Sequence, residues 1–225
     1  MFHVKHLLFS ALFLPLFSFA QTMGNTTLPD DEFPALPARD DKVETYIALF
    51  PEIKSMSKLN REWFYWTNYS RANPRRFYDS VVDPLLKAMP TLKTANSKSL
   101  KSELYKSAVL PFLKPNKDLE MVAQQFVDEM SSKNASPSHN SPSGATFQSR
   151  MQSINIKYCA GENISWGKPN TVLMLVLLYI DEGVIELGHR KSLLNPSFTE
   201  MGIGYNTYPD GKYMVVQDFA CDQSK

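Results

Sequence analysis

The sequence predicts an α+β domain in which helices pack on both faces of a small antiparallel sheet. Three observations carry this expectation. Apolar residues at helical spacing dominate the first half of the chain and continue through Leu119, Val122, Ala123, Phe126, Val127 and Met130. A run that is apolar on every side, Val172 to Ile180, suits a helix buried between other elements. Two late stretches, Met201–Tyr208 and Lys212–Ala220, then flank Pro209-Asp210-Gly211, a good hairpin turn. Eight of the nine glycines fall between Gly144 and Gly211, so tight turns and close backbone approaches are expected in that half.

In chain order, residues 1–20 read as a cleaved secretory signal peptide. Lys5 precedes an apolar stretch from Leu7 to Phe17, and Ser18-Phe19-Ala20 supplies the small-residue pattern before Gln21. That stretch is shorter than the roughly 20 residues a spanning helix needs, which disfavours the competing reading of an uncleaved anchor. Residues 21–58 form an N-terminal extension. It is rich in Pro, Asp and Thr to about Asp41 and is expected to be mobile or draped over the surface, followed by a short helix from Asp41 to Phe50 stopped by Pro51. The domain proper, residues 59–225, opens with a helix from Asn60 to Arg71 that buries Trp63, Phe64 and Trp66 and ends at Asn73-Pro74. A second helix, Pro74 to Val82, is closed off by Pro84. Pro90 to Ser99 reads as a polar loop, Leu100 to Leu110 as a helix and Pro111 to Pro115 as a turn. The helix Lys117–Ser132, with Asn116 as N-cap, delivers the chain to a loop at Ser136-Pro137-Ser138-His139. Ile154 to Trp166 alternates imperfectly and reads as a strand interrupted near Glu162.

Charge and cysteine content bound the function. Removing Lys5 with the leader balances basic and acidic side chains, which leaves no long-range attraction to nucleic acid or anionic lipid. The basic cluster Arg71 to Arg76 is too short to change this and reads as the solvated end of a helix. The remaining chain is long enough for one sizeable core. Cys159 and Cys221 would enter an oxidising compartment, where a bridge between them is favoured over two separately buried thiols. Such a bridge closes a long loop, worth about 3 to 5 kcal/mol in the chain-entropy model. Asn25, Asn68, Asn134 and Asn163 head Asn-x-Ser/Thr acceptors that matter only in a glycosylating host.

Outside the leader only two histidines remain, His139 in His-Asn-Ser-Pro-Ser-Gly and His189 in Gly-His-Arg. Between them lie Gly161-Glu162-Asn163-Ile164 and Tyr179-Ile180-Asp181-Glu182-Gly183, and after them Asn195-Pro196 and Gly202-Ile203-Gly204. Taken together these motifs resemble the CAP superfamily of cysteine-rich secretory proteins, antigen 5 allergens and pathogenesis-related class 1 proteins, with a closer likeness to its bacterial SCP-like branch. The resemblance covers roughly Asn60 to Ala220 and implies a three-layer α-β-α sandwich whose cleft gathers two histidines and two acids. His139, Glu162 and His189 match three of the four positions. The fourth falls at Asp181, where the family glutamate is shortened to aspartate and a preceding tryptophan is replaced by Leu178; Glu182 is the competing candidate.

Two neutral imidazoles with carboxylates suit zinc or another borderline divalent ion. The alternative is a hydrogen-bonded network in which carboxylates orient the imidazoles and no metal binds. Arg190 reads as an ion-pairing residue beneath the cleft, without a catalytic role. A hydrolase using His139 or His189 with Ser138, Ser141 or Ser143 is the enzymatic rival, although no Gly-x-Ser-x-Gly elbow or His-Glu-x-x-His helix is present. The favoured expectation is an exported, non-enzymatic binding protein with a divalent-cation site at His139, Glu162, Asp181 and His189, no organic cofactor and no membrane span. The resemblance adds a small lipid or sterol as ligand; a protein partner, engaged through the extension, is a third possibility.

Overall fold

A computed structural model describes residues 33–223. The signal-peptide reading at residues 1–20 lies outside that range. The first described elements are α1 (Asp41–Ile47), with Asp40 as N-cap, and α2 (Pro51–Ser55), where Pro51 starts a helix instead of only ending one. Both contribute to the core, since Val43, Ile47, Ile53 and Met56 are buried within it. Asp40 fastens this stretch to the domain through an ion pair to Arg76 at 2.5 Å and a hydrogen bond from its own N–H to the Tyr65 hydroxyl at 2.7 Å.

Helix α3 (Lys58–Ala72) is buried nearly all round from Trp63 to Arg71. Arg71 contradicts the expectation of a solvated helix end. Its side chain is fully buried and donates to the carbonyls of Pro111 (2.9 Å), Leu193 (2.8 Å) and Phe198 (3.0 Å). Burial without a carboxylate partner pulls its pKa down to about 10, so it stays cationic at neutral pH. The next helix does not stop at Pro84. After α4 (Pro74–Phe77) a π-helical turn, Tyr78–Val82, leads into α5 (Asp83–Ala88), whose first turn takes Pro84 where no N–H is needed. The polar stretch expected as a loop is a 3₁₀ turn, Pro90–Leu92, followed by α6 (Ala95–Lys106), started by a capping box of Thr94 and Ser97. That helix ends four residues short of the expected Leu110.

The sheet has the order β1-β3-β4-β2. Strands β2 (Ala160–Gly167), β3 (Glu200–Thr207) and β4 (Tyr213–Ala220) are antiparallel, and β1 (Lys114–Pro115) adds a short parallel pairing to β3 inside the expected Pro111–Pro115 turn. Strand β2 starts later than expected because Asn155 and Cys159 have φ of 60° and 49°, yet it runs through Glu162 in unbroken register with β4. The Cys159–Cys221 disulfide bridges 62 residues just outside these two paired strands.

One sheet face carries α7 (Lys117–Ser132) and α8 (Phe147–Ser153), which bury Leu119, Val122, Ala123, Phe126 and Val127 against Ile164, Met214, Val216 and Ala220. The other carries α3 together with α9 (Thr171–Ile180) and α10 (Gly188–Leu193) over Met201, Ile203, Val215 and Phe219. This is the α-β-α sandwich, with β2 at one edge of the sheet and the short β1 at the other. Among the described residues no helix is long and apolar enough to cross a membrane. Two of the potential glycosylation acceptors, Asn68 and Asn163, are wholly buried.

Candidate functional site

The His139 loop is held by its own polar side chains. Ser138 Oγ accepts from the Asn140 N–H at 3.1 Å, Gly144 turns the chain at a φ of 92°, and Ser143 donates through its N–H and hydroxyl to the Glu129 carboxylate on α7. Ser141 and Ser143 also bond each other at 2.8 Å. The three serines nearest His139 thus work in the loop. His139 Nδ1 meets Glu162 Oε1 of β2 at 2.7 Å, and Arg150 of α8 pairs with Glu162 Oε2 while donating to the His139 carbonyl at 3.1 Å. The Arg150 guanidinium lies 3.7 Å over the Phe126 ring, which fixes it from the α7 side.

The second pair is built at a helix junction. Asp181 ends α9 in the left-handed region, with φ 56° and ψ 42°, a conformation its short polar side chain tolerates better than most. From there Oδ1 meets His189 Nδ1 at 2.7 Å, while Oδ2 accepts the backbone N–H groups of His189 (2.9 Å) and Arg190 (3.2 Å) at the start of α10. Asp181, not Glu182, therefore faces His189. Arg190 is fully buried and binds the last carbonyls of α9, at Tyr179 (2.6 Å) and Ile180 (2.9 Å), the Asn96 carbonyl (2.9 Å), and Ser99 and Glu103 of α6. It serves the helix junction more than an ion pair.

The four predicted residues thus form two imidazole–carboxylate pairs. Consecutive strand residues face opposite ways, so Glu162 meets His139 on the α8 side while Asn163 donates to the His189 carbonyl at 3.3 Å on the α10 side. Both carboxylates are 1% exposed, whereas the His139 and His189 side chains are 27% and 17% exposed. All four carboxylate oxygens are already engaged. A neutral imidazole in either pair gives its Nδ1–H to the acid and keeps the Nε2 lone pair, the arrangement a second-sphere carboxylate imposes on a metal-binding histidine. Among the described residues no three His, Cys, Asp or Glu gather into a group able to hold a metal ion by themselves. The two Nε2 atoms are the ring nitrogens left outside the carboxylate pairs.

A family model described as the cysteine-rich secretory protein family, CAP, matches residues 65–219. The chain belongs to the CAP family. It is 38% identical over 68 residues to the uncharacterized protein YkwD of Bacillus subtilis, covering 30% of this chain and 24% of that one. Among solved structures, an extracellular SCP-domain protein of Bacillus anthracis is 28% identical, covering 60% of this chain and 43% of its own, with a TM-score of 0.42. An outer surface protein of Borrelia burgdorferi is 17% identical (60% and 95% covered, TM-score 0.43), and a venom allergen-like protein of Schistosoma mansoni is 16% identical (75% and 92% covered, TM-score 0.41). The chain spans about a quarter of the length of YkwD and less than half of the anthracis protein.

In this CAP domain two residues beside the His139–Glu162 pair escaped the motif reading. Arg150 sits on a short helix with no distinguishing spacing. Asp218 left a signal, since it is a carboxylate within the apolar strand Met214–Ala220, buried on both faces. It is the cross-strand partner of Glu162 and fully buried. Burial, and then the Glu162 charge beside it, push its pKa well above the carboxylate range. A carboxyl raised on folding contributes stability that is intact below its unfolded pKa and is lost as pH rises through the folded one. The wild type is therefore expected to lose thermal stability as pH climbs above the ordinary carboxylate range, and Asp218→Asn to flatten that loss. Melting curves of both proteins from acid to mildly alkaline pH check this; parallel curves would contradict it.

Proposed function

We propose that this CAP protein is an exported binding module that holds a divalent cation, zinc by preference, through Nε2 of His139 and His189, without turning over a substrate. The observation that carries the reading is the paired geometry. Each imidazole is held by a buried carboxylate bonded to Nδ1 at 2.7 Å, which leaves its other nitrogen out of the pair, on a ring that is partly exposed. Glu162 and Asp181 act as orienting groups on this account instead of as ligands. Two protein nitrogens are fewer than the three or four that close a zinc site, so the remaining positions belong to water or to donors of a bound partner. That makes cation and partner binding mutually dependent. A small lipid or sterol is the partner class the family resemblance adds, and a protein surface is the separate alternative. No nucleophile is assigned, because the serines beside His139 are committed to their loop.

Zinc titration by calorimetry tests the reading on residues 21–225, beside a His139→Ala/His189→Ala variant shown to be folded. The expected result is stoichiometric binding in the wild type and none in the variant. Glu162→Gln and Asp181→Asn are each expected to weaken binding by roughly 10- to 100-fold, as second-sphere partners do, without abolishing it. Equal binding to the wild type and the double variant, or none to either, would sink the proposal.

A further inference from the structure

The sheet face beneath α3 holds a buried polar seam that the two histidine pairs do not account for. Asn163 on β2 and Gln217 on β4 are direct cross-strand partners, so their side chains stand side by side on that face, 0% and 1% exposed. Gln217 donates through Nε2 to Thr67 Oγ1 of α3 at 2.9 Å, and Asn163 donates through Nδ2 to the His189 carbonyl at 3.3 Å. Trp63, fully buried, sits one helical turn before Thr67 on the same stripe of α3. Each of the three has one buried polar atom without a protein partner: Asn163 Oδ1, Gln217 Oε1 and Trp63 Nε1. A buried polar group that nothing pairs with bears the whole cost of leaving water, so each of the three calls for a partner.

Their chemistry is complementary. Two acceptors and one donor form the set that a single water molecule satisfies, by donating twice and accepting once. Turning the Asn163 amide over does not remove the need, because it would set Oδ1 against the His189 carbonyl. We infer that one internal water is bound at the junction of α3, β2 and β4, donating to Asn163 Oδ1 and Gln217 Oε1 and accepting from the Trp63 indole N–H. Through Asn163 this water ties the main chain at His189 to the core, and it does so whether or not the imidazoles hold a cation.

The test is by NMR on the ¹⁵N-labelled protein, with the Trp63 indole signal assigned by its loss in Trp63→Phe. The expected result is a cross-peak between that N–H and water, with the sign of a long-lived contact in paired laboratory-frame and rotating-frame spectra, which separates it from proton exchange. Gln217→Met, which removes an acceptor, is expected to abolish the cross-peak and lower the folding equilibrium constant at least fivefold. A wild-type indole with no water contact overturns the inference, as does a Gln217→Met variant that is equally stable and keeps the cross-peak. Should that variant fail to fold, the wild-type spectrum alone decides.

Discussion

Arg190→Met is expected to destabilise the protein by roughly 3 to 5 kcal/mol, from hydrogen bonds to a charged donor worth about 1.5 to 3 kcal/mol each. The loss arises because one guanidinium serves three carbonyls at once, at Asn96, Tyr179 and Ile180. Two of these close the C-terminal end of α9, where intrahelical partners have run out. Methionine fills much of the volume but leaves these acceptors buried and unpaired. Arg190→Lys is expected to recover only part of the loss, since an ammonium cannot reproduce the planar fork. Because Asp181 directly follows these carbonyls, the same change should loosen its grip on His189 and weaken zinc binding as well. Denaturant unfolding measures the first effect and calorimetry the second; a loss below about 1 kcal/mol would mean that the carbonyls find other partners.

Gly202→Ala should be comparably damaging, at about 3 kcal/mol or more, beyond the usual overpacking range because backbone must move. A Cβ there would lie 2.1 Å from the Glu120 nitrogen and 2.2 Å from the Leu119 carbonyl carbon, both main-chain atoms of α7. Gly204 is similarly placed, 2.4 Å from the Ala123 carbonyl carbon. Two residues along a strand and four along a helix advance about 6 to 7 Å, so the pair matches successive turns of α7. Helix α7 therefore lies flush on β3, and through Phe126 and Glu129 it also steadies Arg150 and the His139 loop. Gly167→Ala is the control, because a Cβ at that position meets nothing within 4 Å. Denaturant unfolding should show near-wild-type stability for the control and a large loss for Gly202→Ala; equal stabilities would contradict the flush packing.

The same two glycines show why the layers were legible in the sequence while much of the first third was not. Gly202-Ile203-Gly204, the apolar run of α9 and the periodicity of α7 each state a local requirement that the fold then satisfies. Helix α6 has only Ser97, Leu100 and Leu104 buried, so its polar first turn looked like a loop although Thr94 and Ser97 cap it. Arg71 looked solvated because three carbonyls far away in sequence supply its partners. At the site the four motif residues were read, as one cleft of two histidines and two acids and not as the two separate pairs seen. Arg150 and Asp218 were not, since what recruits them is the register of β2 on β4 and the placement of α8, neither of which a local motif encodes.

The central claim, that buried carboxylates hold Nδ1 of both histidines and leave Nε2 for a cation, is tested most directly by ¹⁵N NMR of the imidazoles before and after zinc. The account predicts protonated Nδ1 at neutral pH in both His139 and His189, and a zinc-induced shift confined to Nε2 in each. Protonation at Nε2, or zinc shifts at Nδ1 or at neither ring, would contradict it.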